Sequence, residues 1–137
     1  YGGMMAAIDL RSGRRLWDAS IGGLERPWVA GDTVYVVTVE RDLLALERDG
    51  GRIYWATRLP SYANPSKRKG PIFWSGPILV SDRLVVTGSN GEVLTVSPYT
   101  GELLGKIEMP DDVTVPPIVA SGTLYFLNKD ADLLAYR

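Results

Sequence analysis

A proline-spaced repeat constrains this chain more than any other feature of its sequence. Pro27, Pro77 and Pro117 each begin the same unit: an apolar triplet, a tight turn and a second apolar run. Another short apolar stretch begins seventeen residues after each proline, and a glycine follows the first two prolines by twenty-four residues, at Gly51 and Gly101. A period of about 40–50 residues built from short apolar runs is typical of a β-propeller, in which each repeat is one blade.

The apolar runs have the composition of β-strands. They are rich in Val, Leu, Ile and Tyr and are bounded by Gly, Asp, Ser and Asn. We predict strands over 28–30, 33–39, 43–47 and 52–57 in the first complete unit, and over 78–80, 83–89, 92–97 and 103–107 in the second. Asn90-Gly91 is a preferred hairpin turn, because both of its central positions need a positive φ. The sequence therefore predicts an all-β propeller of four-stranded antiparallel blades.

The phase of the repeat predicts an open arc of about three blades. We place the last two strands of one blade in 1–22, complete blades in 27–59 and 75–109, and three strands of a closing blade in 115–137. A closed propeller needs roughly four to eight blades. We therefore expect the C-terminal part of a longer chain, whose N-terminal end supplies the missing outer strand. The alternative is that copies associate through the open edges.

Residues 60–74 are an insertion between the two complete blades. From the turn glycine to the next proline takes fourteen and sixteen residues in the other connections, but twenty-six here. Its prolines and basic run predict an exposed loop, where function often lies. The residues that we predict to bind a partner are Lys67, Arg68, Lys69, Phe73 and Trp74.

Two kinds of contact are expected from this insertion. Trp74 would be an exposed aromatic anchor, and the basic run would contact an acidic protein patch or lipid headgroups. The alternatives are that Trp74 packs in the core or the loop, and that the basic run is only solvated.

Composition excludes several kinds of chemistry. The net charge of -1 gives no support for nucleic-acid binding. The absence of cysteine excludes disulfides and thiolate metal sites, and the absence of histidine removes the commonest general base and metal ligand. No run of apolar residues is long enough for a membrane-spanning helix. We predict no catalytic residue, no metal and no cofactor.

A motif within the repeat resembles the PQQ-like propeller family. It reads Ala, an apolar residue, Asp, then Gly13 and Trp17 at fixed spacing, and it returns around Gly51 and Trp55. The resemblance implies that Trp17 and Trp55 dock against the neighbouring blade, and that Gly13, Gly51 and Gly101 complete the turn before the outer strand. The third copy has Gly105 in place of the tryptophan, which suggests a weaker contact between blades there.

The match extends to a particular group within that family. The segments 74–79, 97–102, 115–119 and 133–137 are similar to the end of BamB-type proteins, the periplasmic lipoproteins of the outer-membrane β-barrel assembly machinery. The resemblance implies an eight-bladed ring, an N-terminal lipid anchor in the parent and a place at the periplasmic face of the outer membrane. It also implies a non-enzymatic scaffold whose partners are the assembly machinery and segments of unfolded outer-membrane proteins.

The enzyme alternative for this fold is a PQQ-dependent dehydrogenase whose active residues lie outside the chain. Such an enzyme needs carboxylate and amide oxygens for calcium, and the chain offers no convincing set. Asp111-Asp112 follows a proline between blades and is interpreted as a solvated turn, with a calcium-ligand role as the alternative. Other aspartates stand at turn positions, where they hydrogen-bond local backbone: Asp32, Asp49, Asp82 and Asp130.

Overall fold

In the computed structural model, the chain folds into successive antiparallel sheets. The structure describes residues 3–23, 26–64, 69–108, 118–120, 123–127 and 133–136. The first sheet pairs β1 (Met5–Ile8) with β2 (Arg15–Ala19). The next, which we call blade A, contains β3 (Trp28–Ala30), β4 (Thr33–Val37), β5 (Asp42–Glu47) and β6 (Ile53–Arg58) in sequence order.

A second four-stranded sheet follows a hairpin. The hairpin consists of β7 (Tyr62–Asn64) and β8 (Lys69–Pro71). Blade B then contains β9 (Trp74–Val80), β10 (Arg83–Gly88), β11 (Glu92–Val96) and β12 (Leu103–Glu108). A three-stranded sheet of β13 (Ile118–Ala120), β14 (Thr123–Leu127) and β15 (Leu133–Tyr136) ends the described chain. These antiparallel meanders confirm the predicted all-β fold of propeller blades.

The turn before each outer strand has the same hydrogen bonds in all three sheets that carry it. The amides of Gly13, Gly51 and Gly101 donate to the carbonyl four residues earlier at 2.8, 2.8 and 2.9 Å. Their φ values are 72°, 76° and 79°, in the left-handed region that glycine adopts without steric cost. The sequence repeat is therefore a repeat of backbone geometry.

Both faces of blade A are buried, and the side chains divide by alternation. Val34 and Val36 of β4 face β1 and β2, in a cluster with Trp17. Tyr35 and Val37 face blade B, in the larger cluster. Successive strand residues point to opposite faces, so the continuous apolar runs of β4 and β5 supply two packing surfaces. The core of the protein lies between blades A and B.

Two tryptophans join successive sheets in the same way. An added Cβ at Gly51 would lie 2.6 Å from the Trp17 ring, and one at Gly101 would lie 2.5 Å from the Trp55 ring. Each indole Nε1 donates to the carbonyl three residues before the glycine that it covers: to Arg48 at 2.7 Å and to Pro98 at 3.0 Å. Gly105 stands at the position that Trp17 and Trp55 hold in the preceding sheets. It is exposed, and the turn that would face it lies outside the described residues.

Strand β9 corrects one predicted boundary. It begins at Trp74, not at residue 78, and Trp74 pairs with Gly88 at the start of the ladder. The register shifts opposite Val86, because both Gly76 and Pro77 occupy that step as a bulge. A proline cannot donate to a ladder and is tolerated at a bulge, so Pro77 lies within the strand and does not open it.

The meander sorts the turns to the two ends of each blade. The first and third turns of a blade lie at one end, which we call the Asp32 end because Asp32 stands in the first turn of blade A. The second turn and the connection to the next blade lie at the other end, which we call the Phe73 end. Among the residues that the structure describes, no helix is long and apolar enough to cross a membrane.

Substituting Gly51 by alanine tests the contact between blades. We expect Gly13→Ala to cost about 1–2 kcal/mol of unfolding free energy, because it loses only the left-handed conformation. Gly51→Ala should cost a further ~1–3 kcal/mol, because its methyl group would collide with the Trp17 ring. Urea denaturation measures both values. Gly13 is the matched control, since nothing lies within 4 Å of its added Cβ; equal losses would show that the ring contact carries no constraint.

Candidate functional site

The insertion predicted as a loop contains a short hairpin at the Phe73 end. Tyr62 pairs with Pro71 and Asn64 with Lys69 across the two strands. Lys69 is the first residue of β8, whereas Lys67 and Arg68 lie outside the described residues. The described part of the insertion that was expected to form an exposed loop is a β-hairpin with a buried base.

The base of the hairpin is packed into the core between the blades. Leu59 and Ile72, one on each side of the ribbon, are both 1% exposed and belong to the larger core cluster. The amide of Ile72 donates to the carbonyl of Ser61 at 2.9 Å, which closes the ribbon. Apolar residues on both sides of the polar part of the insertion, Leu59 before it and Ile72 after it, are the sequence signal that indicates this anchoring.

Trp74 is a core residue, and the interpretation of it as an exposed anchor is wrong. It is 6% exposed and belongs to the cluster that joins the blades. Its Nε1 donates to the carbonyl of Pro60 at 2.7 Å, and its ring lies against Gly88. The indole therefore closes the base of the insertion from the core side, as the alternative interpretation stated.

Phe73 is the exposed aromatic residue of the insertion. Its side chain is 60% exposed, and the guanidinium carbon of Arg41 lies 5.3 Å from the centre of its ring. The Arg41 Nε also donates to the carbonyl of Ile72 at 2.6 Å. A cation over an aromatic face is attracted by the ring quadrupole, so Arg41 both supports the ring and tethers the chain beside it.

The backbone of Phe73 is fixed from the other side by blade B. Its amide donates to the Oγ of Ser89 at 2.9 Å, and its carbonyl accepts from the Ser89 amide at 2.9 Å. Arg41 stands in the second turn of blade A with φ of 67°, and Ser89 stands in the second turn of blade B. Phe73 is thus held between equivalent turns of two blades, in a position that neither blade defines alone.

Two acidic side chains near this end, Asp42 and Glu92, are paired within their own blades. Asp42 accepts from Arg58 at 2.6 Å and raises the pKa of that guanidinium. The Asn90 amide, which donates to Glu92 at 2.7 Å, lowers the pKa of the Glu92 carboxyl, and Lys106 at 3.0 Å adds to the effect. The candidate surface therefore consists of an exposed ring with a guanidinium behind it, without a carboxylate partner for Arg41 in the described part of the chain.

The described residues give no evidence for the calcium-ligand role that is the alternative interpretation of Asp111-Asp112. Within the described ranges, no three acidic side chains come close enough together to hold a metal ion. Asp111, Asp112 and Asp130 lie outside those ranges. Asp49 is in the third turn of blade A, beside Arg48 at 3.4 Å.

Replacing each of the two neighbouring aromatic residues by alanine tests whether Trp74 is a core residue and Phe73 a surface residue. Trp74→Ala should cost about 3–5 kcal/mol, because it removes a buried ring from the core. Phe73→Ala should cost less than about 1 kcal/mol, since most of that ring is already in water. Urea denaturation of the two variants measures the difference. A larger loss for Phe73→Ala than for Trp74→Ala would contradict the burial described above.

The comparisons with known proteins agree with the sequence motifs. A family model described as outer membrane protein assembly factor BamB matches residues 1–57. Outer membrane protein assembly factor BamB of Salmonella typhimurium is 30% identical, over 98% of this chain and 32% of that protein. The chain spans about a third of the length of the curated relatives that it matches.

Solved structures show the same fold. The crystal structure of BamB from Moraxella catarrhalis superposes with a TM-score of 0.82 at 16% identity, over 98% of this chain and 38% of that one. The Neurospora crassa Pan2 WD40 domain superposes with a TM-score of 0.65 at 16% identity, over 93% of this chain and 40% of that one. The family model and the curated relatives confirm the resemblance to BamB-type PQQ-like repeat proteins, and the solved structures confirm the propeller fold.

Proposed function

We propose that this BamB-type chain acts by binding proteins, not by catalysis, and that it serves the assembly of outer-membrane proteins. The observation that carries the proposal is the exposed ring of Phe73, which two blades hold in place at the end of an inserted hairpin. The name of its relatives, outer membrane protein assembly factor, supports the process in which the binding takes place.

The geometry of Phe73 suits a binding anchor. Aromatic and arginine side chains dominate the energy of protein interfaces, and both are present here in contact. Because the backbone of Phe73 is fixed by Ser89 and its ring rests on Arg41, little conformational freedom is lost when a partner covers it. We propose that an apolar pocket of an assembly-machinery component receives this ring.

The basic run beside it supplies the proposed polar part of the same interface. Lys67, Arg68 and Lys69 follow one another in the insertion that carries Phe73. We propose that they contact an acidic patch on the same partner. Charges at the rim of an interface chiefly raise the rate of association and select the partner, so their contribution should depend strongly on salt.

The outer strands offer a second, extended kind of binding. β6 and β12 are the edge strands of blades A and B, and every residue of β12 is exposed. An exposed edge presents unpaired amide and carbonyl groups that an extended peptide can join. We propose that unfolded outer-membrane protein segments bind there, with the whole assembly at the periplasmic face of the outer membrane.

Replacing Phe73 should weaken binding without unfolding the protein. In the complete gene product, tagged and purified from membranes in mild detergent, Phe73→Ser should reduce the recovery of assembly-machinery partners at least about fivefold. This is the effect of losing roughly 1 kcal/mol or more at an interface anchor. Leu10→Ser is the matched control, because Leu10 is also apolar and exposed but lies at the Asp32 end.

Quantitative immunoblotting of the recovered partners reads out this experiment. Undiminished recovery with Phe73→Ser, or an equal loss with Leu10→Ser, would remove Phe73 from the interface.

Reversing the basic run should slow association. The triple variant Lys67→Glu, Arg68→Glu and Lys69→Glu should lower the association rate about tenfold or more at low salt and less at high salt, since ions screen exposed charges. Surface plasmon resonance on the purified partner measures both rates. The triple variant Arg11→Glu, Arg14→Glu and Arg15→Glu is the matched control, because these exposed arginines lie at the Asp32 end and their reversal changes the net charge equally; equal slowing by both sets would indicate only a general effect of net charge.

A further inference from the structure

A cleft at the Asp32 end lies between blades A and B, away from the Phe73 surface. Its volume is about 560 Å³, which lies within the range of about 300–1,000 Å³ that small-ligand sites occupy. Every residue that lines it belongs to the described part of the chain. The cleft is therefore defined by two complete blades.

The floor of the cleft is aromatic and fixed. The rings of Tyr35 and Trp55 lie with their centres 6.1 Å apart. Both donate to the carbonyl of Pro98, at 3.2 Å from the Tyr35 hydroxyl and at 3.0 Å from the Trp55 Nε1. Burial raises the pKa of Tyr35 further above its ordinary value, which is already well above neutral pH, and the hydroxyl is a donor. These contacts between blades hold the floor rigid.

Two carboxylates from equivalent turns stand at the rim. Asp32 and Asp82 occupy the same position of the repeat, in the first turn of each blade. The Tyr54 hydroxyl donates to Asp32 at 3.2 Å, and the Tyr99 hydroxyl donates to Asp82 at 3.0 Å. The bond to Asp82 raises the pKa of Tyr99, and a neutral phenol donor leaves the negative charge of the carboxylate in place.

Neither of these two carboxylates forms an ion pair within the described residues. Asp42 and Asp49 each form an ion pair with an arginine, whereas neither Asp32 nor Asp82 has one within the described residues. In the adjoining turn, Arg48 contacts Asp49 and also donates to the carbonyl of Gly31 at 2.9 Å, while Arg52 contacts Glu47. The cleft thus combines aromatic faces with two carboxylates that form no ion pair within the described residues.

We propose that this cleft binds an arginine side chain within an extended segment of a partner protein. A guanidinium matches both parts of the lining, because it stacks on aromatic faces and donates hydrogen bonds to carboxylates through its planar set of N–H groups. Tyr99, which is 74% exposed, and Trp55 supply the faces, and Asp32 and Asp82 supply the acceptors. The volume leaves room for the residues beside the arginine. The inference does not depend on the Phe73 surface, which lies at the other end of the blades.

The test is a titration of the complete gene product with a blocked Ala-Arg-Ala peptide, measured by isothermal titration calorimetry. The same peptide with citrulline in place of arginine keeps the shape but lacks the charge. We expect arginine binding that is at least about tenfold tighter than citrulline binding. No saturable binding of the arginine peptide, or equal binding of the two peptides, would overturn the proposal.

Variants of the rim locate the effect. Asp32→Asn and Asp82→Asn keep the size of the side chains, and the double variant should lose the preference for arginine over citrulline. Asp49→Asn is the matched control, because Asp49 lies in a neighbouring turn but does not line the cleft; binding to it should be unchanged. Circular dichroism checks that each variant is folded, and an equal loss with Asp49→Asn would contradict the assignment to this cleft.

Discussion

The packing of a tryptophan on a glycine of the next blade is the contact on which the rest of this structure depends. Trp17 covers Gly51, and Trp55 covers Gly101. The glycine is required twice at each site, first for its positive φ and again because a Cβ would enter the ring. Each indole also satisfies a turn carbonyl, so packing and hydrogen bonding fix the same rotation of one blade on the next. The regular spacing of Gly and Trp in the sequence reflects this repeated contact between blades.

Periodic elements could be predicted from the sequence because the repeat fixes them. The sequence predicts strands β4 and β5 to within two residues at either end, because turn residues bound each apolar run at the positions that the repeat indicates. The repeat places the start of β9 too late because it begins each unit at the proline, whereas Gly76 and Pro77 form a bulge within the strand. The sequence does not show which of Phe73 and Trp74 is buried, because both lie outside the repeat. The answer depends on contacts with blades A and B that the sequence does not show.

The two candidate binding surfaces differ because the two ends of a blade are built differently. At the Phe73 end, an insertion adds chain that both blades must hold, and Arg41 and Ser89 provide the contacts. At the Asp32 end nothing is inserted, and the cleft arises from equivalent turns brought side by side. Asp32 and Asp82 each look like an ordinary turn residue in the sequence, and only their juxtaposition with Tyr99 and Trp55 indicates a site.

The face of blade B that points away from blade A is less apolar than the equivalent face of blade A. Fifty residues on from Val37, Ala45 and Trp55, it carries Thr87, Thr95 and Gly105. The hydroxyls of both threonines are buried without a hydrogen-bond partner within the described residues, and such a group costs roughly 1–3 kcal/mol. The same positions in blade A are apolar and lie in the main core. Both proposed surfaces lie between blades A and B, beside the larger core cluster that joins these two sheets.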